Sequence, residues 1–292
     1  MGAMLHPGEV ADEIDRMVEM ISAGVGDDPA VLLVSGGLDS DVAARLTAKA
    51  VGPRRLKLAT VVQDDMDPAH LAQARELAAE LSVHLVELDL RGVNLDVLYR
   101  LAAADREEGF DPLGLLDPAR MKCSLRTVVL SGYQDRGYVV VGTSNRTESQ
   151  LGFFLPFGDG VWHLGPLAHL YKTEVRLIAA AVGTSGPVLR QPPSAGFWLA
   201  QTDREDMGFW LVNRGPIQRE RVFTDAEVDQ AAAFSGRLNE PDVDELLLAM
   251  SEGRDLATVP VPGDIAEAIA AVVARSAHLK SRPTGVALAR RT

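Results

Sequence analysis

Six consecutive residues, Ser35-Gly36-Gly37-Leu38-Asp39-Ser40, set two glycines among hydroxyl and carboxylate side chains, between an apolar run at 30–34 and a helix-like segment at 41–50. A strand that turns into a helix through such residues presents backbone N–H groups at a positive helix end, and that pocket suits phosphate. The turn lacks the Gly-Lys-Ser/Thr ending that holds a transferred γ-phosphate, so a different phosphate chemistry is expected. A second stretch, Gly142-Thr143-Ser144-Asn145-Arg146-Thr147-Glu148, likewise brings a glycine, hydroxyls and a carboxylate after an apolar run.

For the two stretches to act together, the surrounding elements must bring them to one place. Val10, Ile14, Met17, Val18 and Ile21 follow helical spacing and predict an amphipathic helix packed on a sheet. Strand-like stretches at 30–35, 56–62, 84–90 and 138–142 then alternate with helix-like stretches at 41–50, 68–81, 94–105 and 118–135. This alternation predicts an α/β fold with a doubly wound, mostly parallel sheet and helices on both faces. Ligands of such sheets sit beyond the carboxyl ends of the strands, where residues 35–40 and 142–148 converge. After a helix at 171–182, residues 183–218 are rich in Gly and Pro with little periodicity, which predicts a long functional loop. The tail carries helical patterns at 225–234, 243–251 and 265–279. With no internal repeat and no separating linker, one domain over 1–292 is expected.

Composition narrows the function. The chain has 292 residues, 47% of them hydrophobic, enough for a well-buried core. Its longest apolar runs, such as 268–274, fall far short of the roughly 20 residues of a membrane-spanning helix. No basic stretch followed by an apolar core opens the chain, so no secretion signal is expected. A net charge of -12 without a basic stripe argues against nucleic-acid binding. The single cysteine, Cys123, excludes a disulfide framework and fits a cytoplasmic location.

The 35–40 turn resembles the pyrophosphatase loop of enzymes that cleave ATP between its α and β phosphates. The wider chain resembles the ammonia-dependent NAD synthetase family. The matching stretches are 141–148, Leu151-Gly152-Phe153-Phe154, Phe157-Gly158-Asp159-Gly160, Gly165-Pro166-Leu167, 170–175, Gln191-Pro192-Pro193-Ser194-Ala195-Gly196, Gln201-Thr202-Asp203 and Met207-Gly208-Phe209. His278, Lys280, Arg282 and Pro283 continue the match in order.

The resemblance implies an adenine nucleotide alpha-hydrolase-like fold with a helical C-terminal tail, and a ligase that uses ATP and Mg2+. On that basis Ser35, Gly36, Gly37 and Ser40 hold pyrophosphate, Lys172 places its charge on the phosphates, and Thr143 and Ser194 donate to them. Asp39 and Glu148 are the expected magnesium ligands, being hard oxygen donors. Asp39 and Lys172 are the catalytic candidates. Arg126, Phe153, Phe154, Asp159, His278 and Lys280 are expected around the acceptor. Adenylation suits the chemistry, because an amide forms from a carboxylate only after oxide is replaced by a better leaving group. The resemblance also implies a homodimer with the substrate site at the subunit interface. No glutaminase segment precedes the loop, so ammonia is expected free or from another protein.

Two departures concern the acceptor. Family members carry Ala-Arg-x-Arg where this chain has Cys123-Ser124-Leu125-Arg126, so Ser124 replaces an Arg that binds deamido-NAD. Pro156 replaces a Lys two residues before the Gly-Asp-Gly turn. Losing cations that face a desolvated anion weakens binding by ~1–3 kcal/mol each, and Lys122 or Arg126 could compensate for one. Deamido-NAD is the default acceptor, with another pyridine carboxylate or its nucleotide as the variant. Two further readings stay open: ATP-dependent sulfur insertion using Cys123, and a nucleotide-binding regulator without catalysis.

Overall fold

The structure, a computed structural model, describes residues 4–64, 66–192, 194, 202–217 and 221–277, together with the strand at 286–287. A helix α1 (Val10–Val25) leads into β1 (Ala30–Leu33), α2 (Leu38–Val51), β2 (Leu56–Val62), α3 (Pro68–Glu80), β3 (Leu85–Asp89), α4 (Val93–Ala104), α5 (Leu116–Gln134) and β4 (Val139–Val140). The four strands form one parallel sheet in the order β3-β2-β1-β4. This is the alternation expected from the sequence, with crossover helices on both faces.

Strand β1 shows why its run is apolar throughout. Ala30, Leu32 and Val34 enter a core shared with Met17 and Ile21 of α1 and Val42 and Leu46 of α2. Val31 points the other way, into a cluster with Leu130 of α5, Val140 and Trp162, with Leu33 packed beside it. Successive side chains of a strand face opposite sides, so a central strand covered twice has no position for a solvated residue.

Helix α2 is buried along most of its length, including its charged residues Asp41 and Arg45. Arg45 bonds Asp41 at 2.7 Å and Glu80 at 2.7 Å, and Thr184 Oγ1 donates to Asp41 at 2.6 Å. These partners satisfy the buried carboxylate and hold α2 in register with the chain after α7 (Lys172–Val182).

The remaining elements are α6 (Arg146–Leu151), β5 (Leu164–Gly165), α8 (Gly186–Arg190), α9 (Asp203–Val212), α10 (Asp225–Arg237), α11 (Glu240–Glu252), α12 (Gly263–Arg275) and β6 (Val286–Ala287), the last paired with β5. Helices α9 to α12 build a second apolar cluster that takes in Leu151 and Tyr171. The three tail helices expected from periodicity are present with shifted ends. The expectation of a long loop over 183–218 is corrected by α8 and α9. Thr202 caps α9, accepting from Glu205 N at 3.3 Å, and Asp203, Glu205 and Asp206 supply an acidic first turn, signals hidden by the Gly and Pro on either side. Among the described residues, no helix is long and apolar enough to cross a membrane.

Candidate active site

The 35–40 turn is closed by its own serines. Ser40 Oγ donates to the Gly37 carbonyl at 3.0 Å and accepts from Ser35 N at 3.2 Å, while Ser35 Oγ accepts from Gly37 N at 3.2 Å. Helix α2 begins at Leu38 rather than at 41, so Asp39 and Ser40 lie in its first turn. Gly36 sits at φ 82°, and a Cβ there would lie 2.1 Å from the His70 carbonyl oxygen of α3. Glycine is therefore required twice over, for backbone conformation and for space.

Strand β4 delivers the second stretch to the same edge. It is shorter than the expected 138–142, because Val141 bridges to Leu164 and Gly142 donates to the Leu164 carbonyl instead of extending the ladder. Asn145 then caps α6 in a reciprocal box: its side-chain oxygen accepts from Glu148 N at 3.0 Å, and Glu148 Oε2 accepts from Asn145 N at 3.2 Å. The Asn145 amide also donates to Glu148 Oε1 at 2.7 Å and to Asp39 Oδ1 at 3.4 Å, bridging two carboxylates from different elements.

Lys172 opens α7 between those carboxylates. Its ammonium makes a close ion pair with Asp39 Oδ2 and lies 4.0 Å from Glu148 Oε1. Burial drives the Glu148 carboxyl well above the usual range, with Asp39 adding repulsion that Lys172 only partly offsets. Burial opposes the charge of Lys172, yet Asp39, Glu148 and Asp203 outweigh it and raise its pKa.

Two small cavities of about 120 and 150 Å³ meet at this point. Ser35, Ser40, Arg126, Thr143, Asp159 and Ser194 line both. Gly37, Asp39, Glu148, Phe153 and Lys172 line the second and not the first, while Leu33, Val34, Thr60, Val61, Gln63 and Met66 wall the first. A larger cavity of about 830 Å³ opens on the other side of Lys172, toward α9 and α11.

The structure thus brings together the Ser35–Ser40 turn, Asp39, Thr143, Glu148, Lys172, Ser194, Arg126 and Asp159. Phe153 stands at the edge, its ring 5.2 Å from that of Trp210 in an edge-on contact. Phe154 is buried and lines none of the three cavities. His278 and Lys280 lie outside the described residues. Of the two candidate substitute cations, Lys122 is turned to the Asp64 carbonyl at 3.0 Å, and Arg126 reaches the cavities. Asp159 Oδ1 accepts from Leu155 N at 2.8 Å, closing the 155–160 turn.

Cys123 packs beneath that turn, where a Cβ on Gly158 would meet its sulfur at 2.3 Å. Burial, followed by the nearby Asp159 charge, pushes its thiol up to about 12. Sulfur donors work as accessible thiolates, and Cys123 is buried where ionisation is opposed. Sequence reasoning missed Asn145, Gln63, Asp203 and Asp244 around the site. Asn145 had a local signal in the Asn-x-x-Glu spacing of a capping box, and Asp203 in the acidic first turn of α9.

The NAD synthase family model matches residues 10–217. This chain belongs to the NAD synthase family. It is 33% identical over 210 residues to the NH(3)-dependent NAD(+) synthetase of Methanosarcina acetivorans, covering 70% of this chain and 80% of that one. It is 34% identical over 181 residues to the NH(3)-dependent NAD(+) synthetase of Finegoldia magna, covering 62% of this chain and 71% of that one. Its fold matches an NMN synthetase from Francisella tularensis with a TM-score of 0.72 and 22% identity over 99% of this chain and 100% of that one. An NH3-dependent NAD synthetase from Campylobacter jejuni matches with a TM-score of 0.55 and 20% identity, covering 79% of this chain and 97% of that one. The family consists of ATP-dependent, AMP-forming carbon–nitrogen ligases, so the chain is an enzyme of the class its motifs indicated.

Proposed function

We propose that this NAD synthase family member converts the carboxylate of a nicotinate-containing nucleotide to an amide, using ATP and ammonia. The observation that carries the reading is the Asp39–Lys172–Glu148 cluster, set where the N-termini of α2, α6 and α7 meet beside the Ser35 turn. The N-terminus of α2, the Lys172 ammonium and the serine hydroxyls of the turn suit a polyphosphate.

In this mechanism a substrate carboxylate oxygen bonds to the α-phosphorus of ATP while the bond from that phosphorus to the α,β-bridging oxygen breaks, releasing pyrophosphate. Ammonia nitrogen then bonds to the acyl carbon, AMP departs with the former carboxylate oxygen, and a proton is released. Ser35, Gly36, Gly37 and Ser40 hold the leaving pyrophosphate, Lys172 neutralises its growing charge, and Thr143 and Ser194 donate to phosphate oxygens. The apolar walls Leu33, Val34, Val61 and Met66, with Thr60 and Gln63 between them, suit a purine base.

The donor set fits a divalent cation: two adjacent carboxylates share one ammonium, and Glu148 is pushed up partly by the Asp39 charge. Among the described residues, no group of three or more His, Cys, Asp or Glu side chains is placed to hold a metal. A magnesium ion that takes its other oxygens from phosphates and water is consistent with that. Asp39 and Glu148 would hold it, and when bound it supplies charge neutralisation on the triphosphate. The assembled Asp39, Glu148 and Lys172 speak for catalysis and against an inactive regulator.

Arg126, Asp159 and Phe153 face the acceptor in this reading, with His278 and Lys280 assigned there by family resemblance alone. Deamido-NAD is the first acceptor to test. Ser124 and Pro156 favour a second, nicotinate mononucleotide, which lacks the adenylyl half of the dinucleotide. A pyrophosphate-release screen with deamido-NAD, nicotinate mononucleotide and free nicotinate, each with and without ammonium, checks the reading. Ammonium-dependent amide formation with one nucleotide is expected, and release with none of the acids would end it. If the mononucleotide is preferred, Ser124→Arg is expected to improve kcat/KM for deamido-NAD by about tenfold, the worth of one partly desolvated cation. An unchanged ratio would place the anion contact elsewhere.

The enzyme acts as a homodimer in this reading, and its single buried cysteine suits a reducing cytoplasm. Val97 and Tyr99 of α4, Leu113 and Leu115 before α5, Val128 of α5, and Phe157 are all exposed apolar side chains, Leu113 at 86% and Val128 at 65%. Thr127 Oγ1 donates to the Phe157 carbonyl at 2.6 Å, placing Phe157 beside Val128. In this reading these side chains form the subunit contact. Sedimentation is expected to show a dimer that Val128→Glu converts to a monomer. A wild-type chain that sediments as a monomer at micromolar concentration would exclude pairing.

A further inference from the structure

Helix α11 follows the residues matched by the family model, and it carries the fully buried carboxylate of Asp244. Asp244 Oδ1 accepts from the Thr147 hydroxyl at 2.5 Å. Its Oδ2 accepts from the Thr173 backbone N–H at 2.8 Å and from the Thr173 hydroxyl at 2.8 Å. Thr147 directly precedes Glu148, and Thr173 directly follows Lys172. The Thr147 hydroxyl oxygen also accepts from the Lys172 backbone N–H at 2.9 Å, which closes a ring of hydrogen bonds through α6, α7 and α11.

Helix α6 needs such outside support. At six residues it is too short to hold its own direction, since a helix of this length is unstable without tertiary contacts. Its far end is bonded at the Leu151 carbonyl by Trp210 Nε1 at 3.0 Å and Ser276 Oγ at 3.1 Å. Near its beginning, Thr147 ties it to Asp244 of α11 and to the Lys172 backbone, beside the contact of Asn145 with Asp39. Helix α11 also grips α7 through Arg176 and Glu240, at 2.7 Å. A buried carboxylate costs several kcal/mol to keep without partners, so three donors fix its place and, through it, theirs.

We propose that Asp244 is a positioning residue of the ATP site: through Thr147 and Thr173 it sets the separation between the Glu148 carboxylate and the Lys172 ammonium. This rests on the ATP-dependent reading above. Asp244 is fully buried and acts through the two threonines. A residue supporting a metal or phosphate ligand from behind commonly changes activity 10- to 100-fold when it is altered, as groups that orient ligands do elsewhere.

The test compares Asp244→Asn, Thr147→Val and Thr147→Ser with the wild type in the full chain. Asp244→Asn turns one acceptor into a donor and opens the ring. It is expected to lower kcat for pyrophosphate release about 10- to 100-fold and to leave KM for the acceptor within about twofold, since the acceptor contacts lie elsewhere. ATP affinity measured by calorimetry in EDTA, which needs no metal and no turnover, is expected to weaken about tenfold because Lys172 is misplaced. Thr147→Val is expected to reproduce both losses, and Thr147→Ser, which keeps the hydroxyl, to restore at least half of kcat.

A folded Asp244→Asn protein with a lowered melting temperature but unchanged kcat and ATP affinity would show a purely structural role and overturn the proposal. If Asp244→Asn does not fold, Thr147→Val decides alone: unchanged values overturn the proposal and matching losses support it. A wild type that releases no pyrophosphate with any acceptor defeats the functional reading instead, and the affinity measurement in EDTA still judges Asp244.

Discussion

Replacing Lys172 with alanine is expected to lower pyrophosphate release by at least about 10³-fold, the scale reached when a preorganised charge aimed at a developing anion is removed. The ammonium pairs with both Asp39 and Glu148, and it stands at the N-terminus of α7, where leaving-phosphate charge accumulates in the proposed reaction. Its removal also leaves two facing carboxylates, one of them already pushed upward by burial, with no ammonium between them.

Asp39→Ala is expected to cost as much, because Asp39 is both the closest partner of Lys172 and one of the two proposed magnesium ligands. The two losses should not add: the double variant is expected to be no slower than about tenfold below the worse single one, as for groups that act as a unit. A coupled pyrophosphate assay checks all three proteins, and retained turnover in either single variant would contradict the assigned roles.

Gly36→Ala is the second expected large effect, and it acts through the backbone. At φ 82° a residue with a Cβ costs roughly 1–3 kcal/mol, before any clash is counted. The added carbon would also fall 2.1 Å from the His70 carbonyl oxygen, so either the turn or the start of α3 must move. Both border the cavity walled by Val34, Val61 and Met66. ATP affinity is expected to fall by about 100-fold or more, with a lowered unfolding midpoint, because an error of about 1 Å in a binding cradle removes most of its benefit. Gly37→Ala is the comparison: its Cβ would meet only Ser35 Oγ at 3.3 Å, and its φ is not positive, so a milder loss is expected. Calorimetric titration with ATP and a thermal melt read both effects. Equal losses in the two variants would mean that the His70 contact is not what makes Gly36 necessary.

Where the sequence could be read, short-range chemistry made it legible. The Ser35 turn and the apolar period of α1 each depend on groups within a few residues of one another, so residue type and spacing suffice. The boundaries shifted where tertiary contacts intervened. Helix α2 begins three residues early because Gly37 is extended and Leu38 already packs inward, and β4 is cut short by the pairing of Val141 with Leu164. Residues 183–218 misled because their glycines and prolines mask the capped start of α9.

The sequence by itself determined the alternation of strands and helices from α1 to β4, the phosphate-binding character of the turn and the family. It did so because hydrogen bonding and periodicity within one element are set by neighbouring side chains. Only the tertiary structure decided that Asp39 shares Lys172 across 133 positions of chain, that Arg126 rather than Lys122 reaches the cavities, and that Asp244 clamps Thr147 from 97 positions away. Those pairings exist because closing a parallel sheet and burying two apolar clusters bring distant helix ends together, and no local pattern records which ends will meet.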